Sequence, residues 1–251
     1  MWHSAPNIAS KHGFSDRVGG VSQGAYTQLN LSQNVGDYLE SVEENRRLAL
    51  TALGIGESRL ARLRQVHSSE VVTLDRDSDL AHLPMADALV TRLRDVVLVI
   101  ESADCYPVLL EDSQAGVIAA AHCGWRGTAG RLLERVLEEM QEAGAQLGRI
   151  RAALGPGICA ANYAVGADVL VRFAQESFPQ ATYMNSSGGL SRSGIEQYYV
   201  NLSAANRWLL EQGGVLPEHI WAMDRCSTEA DFFSHRRDHG TTGRMWSVIA
   251  L

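Results

Sequence analysis

The chain has 251 residues, 45% of them hydrophobic and 20% charged, the composition of an ordinary folded protein with one sizeable core. Its 22 Lys and Arg against 29 Asp and Glu leave a net charge of −7, which offers no broad basic face to nucleic acid or to an acidic membrane surface. The opening Met1-Trp2-His3-Ser4-Ala5-Pro6 lacks the basic segment and apolar run of a signal peptide, and no apolar stretch is long enough to span a bilayer, so a cytoplasmic protein is expected.

In chain order, Ser41 and Glu44 read as a capping box and Gly54 as a stop, which predicts a helix from Val42 to Leu53. Short β-branched or apolar runs bounded by turns predict strands at Leu60 to Val66, Val71 to Leu74 and Ala88 to Thr91. Three more are predicted at Val96 to Ile100, Val108 to Leu110 and Val117 to Ala121. A second helix, Ala129 to Ala143, puts Leu132, Leu133, Val136, Leu137 and Met140 on one face and ends at Gly144. Two further helices are expected near Gly166 to Ser177 and Ser203 to Gln212. The Gly-rich stretch around Asn185 to Gly189 is the best candidate for a mobile loop. Strands before Gly124 and helices mostly after it suggest a sheet-rich core flanked by helices. No linker or repeat divides the chain, so one domain is expected.

The segment with most chemistry runs from Ala103 to Gly130. Cys105 follows one predicted strand and His122 ends another, while His67 ends an earlier one. Side chains at element ends can converge on a cleft. Two imidazoles and a thiolate suit zinc and leave a fourth position open. Spacing alone does not decide this, because a histidine at a strand end is commonly a surface or satisfied core residue, and Cys105 and Cys123 could be core. Asp104 reads equally as a support for the cluster or as a turn residue. Cys159 and Cys226 complete a set of four cysteines without a CxxC pair, for which free thiols or metal ligands are expected rather than disulfides. The turn from Cys123 to Thr128 needs glycine for its geometry. It also offers helix N-terminal amides and Arg126 to an anion.

A series of motifs adds to this. HGFSDRVGGVSQGAY (His12 to Tyr26), LNL and NVGD (Leu29 to Leu31, Asn34 to Asp37), EENR (Glu43 to Arg46) and QVH (Gln65 to His67) are followed by ADALVT (Ala86 to Thr91), ADCYPVLL and AAHCGWRG. LGPGI (Leu154 to Ile158), FFSHRRD (Phe232 to Asp238) and TGR (Thr242 to Arg244) complete the order. Together they resemble the polyphenol-oxidase or laccase-domain family, also called peptidoglycan-editing factor and bacterial purine nucleoside phosphorylase. The resemblance implies an α/β fold, a layered α/β/β/α sandwich of mixed sheets flanked by helices. It implies zinc ligands at His67, Cys105 and His122, and action on adenosine, inosine and guanosine by phosphorolysis, with deamination of adenosine.

Asn34, Cys123 and His235 depart from the family pattern, where His, Ala and Tyr are usual. On this reading Cys105 and Arg46 are the candidate catalytic residues, and Asn30, Arg46 and Arg126 the candidates for holding substrate and phosphate. Purine nucleosides and phosphate are the expected partners, and the chain is expected to be a monomer or a homodimer. The H-x-E and P-C-x-x-C signature of zinc deaminases is absent, so deamination would use another arrangement. Zinc is expected rather than copper, since a multicopper oxidase needs many His ligands and this chain has 8 His with no HxH pair. The other readings are a peptidoglycan-precursor editing hydrolase, a Cys–His hydrolase with Cys105 as nucleophile, and a non-catalytic metal-binding protein.

Overall fold

The computed structural model describes residues 1–55, 59–190 and 196–251, with only the backbone at 185–190 and 196–197. In chain order the elements begin β1 (Trp2–His3), β2 (Lys11–Ser15), α1 (Leu39–Leu53), β3 (Arg59–Ala61), β4 (Val71–Leu74) and β5 (Ala88–Thr91). The central part holds β6 (Val96–Ser102), β7 (Tyr106–Asp112), β8 (Val117–Cys123), α2 (Trp125–Ala129), α3 (Leu132–Glu142) and β9 (Arg151–Leu154). Then come β10 (Ala164–Val165), α4 (Ala167–Gln175), α5 (Gln180–Tyr183), β11 (Met184–Leu190) and β12 (Glu196–Val200). The last are α6 (Leu202–Gln212), β13 (Ile220–Ala222) and β14 (Met245–Ala250).

Two mixed sheets form the core, one ordered β1-β2-β14-β6-β3 and the other β13-β9-β7-β8-β5-β4. A small third sheet has the order β10-β12-β11. Strand alternation sorts side chains into layers. On β6, Val96, Leu98 and Ile100 meet Ile118 and Ala120 of β8 between the two sheets. Val97 and Val99 turn the other way, onto Ala49 of α1 and Trp246. Val117, Ala119 and Ala121 of β8 face the buried stripe of α3, with Leu209 and Leu210 of α6 beside it. The result is the α/β/β/α sandwich expected from the resemblance. Phe14 is fully buried in the middle layer, a burial that contributes about 1.5–3 kcal/mol.

Several elements differ from the sequence expectation. The strand predicted for Leu60 to Val66 stops at Ala61, because the chain then crosses from the first sheet to the second, touching it through an Arg64–Met85 bridge. Gln65 takes up hydrogen bonds along the β6 edge instead, its amide pairing with both N–H and C=O of Glu101. The capping box does not form: α1 starts at Leu39 without a side-chain cap, and Glu44 pairs with Arg47. Gly54 does stop that helix, in the left-handed region at φ 65°. The predicted helix Ala129 to Ala143 is two helices, broken at Gly130 and Arg131, where Arg131 has φ 62°. The loop expected at Asn185 to Gly189 lies instead within β11, which pairs with β12. Cys159 and Cys226 form a disulfide, correcting the expectation of free thiols, while Cys105 and Cys123 are free.

Candidate metal centre and cavity

Two chain crossings and a strand end meet at one rim of the sandwich. The β6–β7 connection carries Asp104 and Cys105 from the first sheet to the second, and the segment after β3 carries His67 the same way. β8 ends there too, since Tyr106 lies opposite Cys123 and Pro107 opposite His122. His122 continues the face of Ile118 and Ala120, which points between the sheets. Cys123 points away into the helix-side core. The donor atoms of His67, Cys105 and His122 all lie within 4.8 Å of one another.

Asp87, which the sequence reading did not single out, organises this cluster. Its carboxylate is fully buried and accepts from the backbone N–H groups of Val66 (3.2 Å), His67 (3.0 Å) and Ser68 (2.6 Å). The Ser68 hydroxyl donates at 2.8 Å, and His122 Nδ1 lies 2.9 Å away. One carboxylate thus holds the turn that presents His67, itself at φ 60°, and sets the tautomer of His122 so that Nε2 is left for the cluster. A carboxyl immediately before an apolar strand was the available signal, because a buried charge must be paired. Asp104 has a different task. It accepts from the hydroxyls of Ser227 (2.6 Å) and Ser234 (2.7 Å) and from the Arg236 N–H (2.6 Å), tying the C-terminal loops to the Cys105 turn.

The electrostatics favour a thiolate. Burial by itself raises the Cys105 thiol, but His122 and His67 outweigh it and leave it lowered to about 6. Burial lowers His122, yet Cys105 and Asp87 carry it up to about 9. Each group thus favours the charged form of the other, and a metal would compete with a proton for the His122 ring. Cys123 is raised well above its ordinary value, first by burial. It remains a thiol in the core.

The cluster sits in the wall of a cavity of about 870 Å³, a volume suited to a small-molecule ligand. Trp125, Tyr163 and Arg126 also line it, as do Asn34 and His235, two of the positions that depart from the family pattern. Gly124 is required for close approach. A Cβ there would lie 2.9 Å from Cys105 Sγ and 2.9 Å from His67 Cδ2. Two imidazoles, a thiolate and this relieved space fit a zinc ion.

The remaining candidates separate. Arg126 is exposed at the cavity, stacked over Trp125 at 4.3 Å, and its guanidinium donates to no described residue. Arg46 and Asn30 do not line the cavity. Arg46 donates to the Leu31 carbonyl (2.8 Å), lies 3.6 Å from Glu101 and covers Trp246. Asn30 is buried, with its amide spent on Ser32, Asp37 and the Arg244 N–H. Both residues hold the wall that carries Arg244.

A family model for multi-copper polyphenol oxidoreductase laccase matches residues 11–251. The chain is 47% identical over 250 residues to a purine nucleoside phosphorylase of Deinococcus radiodurans, covering 98% of this chain and 91% of that protein. It is 36% identical to adenosine deaminase RL5 from an unknown prokaryotic organism, covering 98% and 95% of the two chains. The solved structure of YlmD from Geobacillus stearothermophilus superimposes with a TM-score of 0.87 at 33% identity, covering 99% of this chain and 95% of the other.

Proposed function

This chain belongs to the multi-copper polyphenol oxidoreductase laccase family, and within it we propose that the protein is a zinc-dependent purine nucleoside phosphorylase. Adenosine, inosine and guanosine are its proposed substrates, with adenosine deamination as a side activity in the same cytoplasmic enzyme. The observation that carries the reading is the convergence of His67, Cys105 and His122 on a cavity that arginines also line. The names of the Deinococcus relative and of adenosine deaminase RL5 support the two activities.

Among the described residues this is the one cluster of three or more His, Cys, Asp or Glu side chains able to hold a metal. A multicopper oxidase needs several such centres, so copper chemistry is the weaker reading. Zinc, when bound, supplies a Lewis acid that polarises an oxygen and lowers the pKa of a bound water. His67, Cys105 and His122 would hold it, and Asp87 would hold the two histidines.

In phosphorolysis a phosphate oxygen bonds to C1′ while the C1′–N bond breaks. Its electron pair leaves with the purine, which takes up a proton, and ribose 1-phosphate remains. Arg126, exposed at the cavity, would bind the phosphate through a charge-assisted fork. Trp125 and Tyr163 offer faces to the base, and burial raises the Tyr163 hydroxyl so that it stays a hydrogen-bond donor. In deamination water replaces the amino group, releasing ammonia and inosine, and no phosphate is consumed.

Metal-replete protein incubated with adenosine and phosphate should release adenine and ribose 1-phosphate, and leaving out phosphate should stop base release. Inosine formation should persist without phosphate. If adenosine, inosine and guanosine all remain untouched at high phosphate, the purine reading fails and the editing hydrolase moves ahead.

A further inference from the structure

Arg244 combines features that no other cavity arginine has. It is half-buried on the cavity wall, immediately before β14. Its Nη1 donates to the carbonyls of Thr242 and Gly243, both at 2.9 Å, so the guanidinium is fixed from one corner. Its backbone is fixed as well, the N–H on Asn30 Oδ1 at 2.9 Å and the C=O on the Leu31 N–H at 3.1 Å. The opposite edge, Nε with Nη2, donates to no described residue, and no described carboxylate forms an ion pair with it. Burial lowers its pKa, with Glu101 and Asp104 opposing from a distance.

A structural arginine looks different here. Arg237 spends Nε, Nη1 and Nη2 on Asp238 and on the carbonyls of Thr228, Glu229 and Phe232. Arg46 is likewise engaged, while Arg236 is exposed and donates to the Ala164 carbonyl. A second observation lies beside Arg244. Ser102 pairs with Met245 across β6 and β14, so it is a near neighbour in the register. It belongs to the same cavity wall, it is 1% exposed, and its hydroxyl has no partner among the described residues. Buried polar groups left in that state are normally completed by a ligand or an ordered water. A fixed fork on a half-buried cation without a counter-ion among the described residues matches two oxygens of an oxyanion.

We infer that the Nε/Nη2 edge of Arg244 is a phosphate-binding element of the cavity, holding inorganic phosphate together with the exposed Arg126. The assignment rests on the phosphorylase reading for the identity of the oxyanion. Arg244, rather than Arg46, then supplies the fixed positive charge of the reaction. Asn30 and Leu31 act as positioning residues through its backbone.

The test compares metal-replete wild type with Arg244→Lys, which keeps the charge and loses the fork. Calorimetric titration with inorganic phosphate should show affinity weakened about tenfold to a hundredfold. The KM for phosphate should rise in step. Phosphate affinity equal to that of the parent would overturn the assignment. A second measurement needs no variant. Phenylglyoxal labelling of wild type, mapped by peptide mass, should be blocked by phosphate at Arg244, and labelling indifferent to phosphate would also overturn it. Phosphate protection of Arg244 in a protein that never releases base would leave the subsite standing and remove the phosphorylase reading instead.

Discussion

Two carboxylates, Asp87 and Asp112, lie at opposite ends of the second sheet, and both are fully buried. Asp112 accepts from the N–H groups of Gln114, Ala115 and Gln146 and from Nε and Nη2 of Arg149 at 3.0 and 2.8 Å. Asp87 accepts from three backbone N–H groups, a hydroxyl and an imidazole. The two are almost equally satisfied. They differ in what stands behind the cationic partner. Arg149 cannot release its proton, so the Asp112 charge is neutralised inside the fold and goes no further. His122 has a second nitrogen turned to an open cavity, so the Asp87 charge is passed through the ring to whatever that nitrogen binds. One end of the sheet is a staple and the other a site.

The contrast predicts separable losses. The largest should follow Asp112→Asn, which leaves Arg149 without its anion. Chemical denaturation should show about 3–5 kcal/mol of lost stability with the zinc content of the folded protein unchanged. Burial raises the Asp112 pKa, but Arg149 and the N–H donors outweigh it and leave it lowered. A carboxylate lowered on folding stabilises the native state above its unfolded pKa, near 4, and loses that contribution as pH falls through the folded value. The gap between wild type and Asp112→Asn should therefore be constant from pH 7 to about pH 5 and shrink as the solution is made more acidic. A gap that widened on acidification would contradict the assignment.

Asp87→Asn should act mainly on the metal. Without the carboxylate the His122 tautomer is no longer imposed, and the turn bearing His67 loses its strongest acceptor. Chelator competition should report zinc bound about 10–100-fold more weakly. Parental affinity would make Asp87 a second staple like Asp112. Gly124→Ala should weaken zinc about tenfold or more, because its Cβ would press on both Cys105 and His67. Arg126→Lys should have the smallest effect. The charge stays and only the fork is lost, so the KM for phosphate should rise a few-fold at this exposed position.

The same contrast explains what could be read in advance. His67, Cys105 and His122 were legible because they sit in motifs whose order along the chain is itself informative, and the buried stripe of α3 followed its period. β9 and β14 were not legible. Arg151–Leu154 and Met245–Ala250 are nearly or wholly buried on both faces and so carry no alternation to detect. Asp87 was hidden for the opposite reason, since one acid beside an apolar strand resembles a turn residue until the strand is known to be central. Arg46 and Asn30 stand in recognisable motifs, but a motif reports that a residue matters without saying whether it touches a ligand or holds the wall behind it. Arg244 shows the complement, a residue seen in the sequence whose free edge exists only in three dimensions.

Metal analysis of purified Cys105→Ala beside Cys123→Ala tests the central claim most directly. The two cysteines lie at the same end of neighbouring strands, one turned to the cavity and one to the core. The zinc assignment predicts about one zinc per chain in wild type and in Cys123→Ala, and little or none in Cys105→Ala. Full zinc occupancy in Cys105→Ala, or its loss in Cys123→Ala, would contradict the site described here.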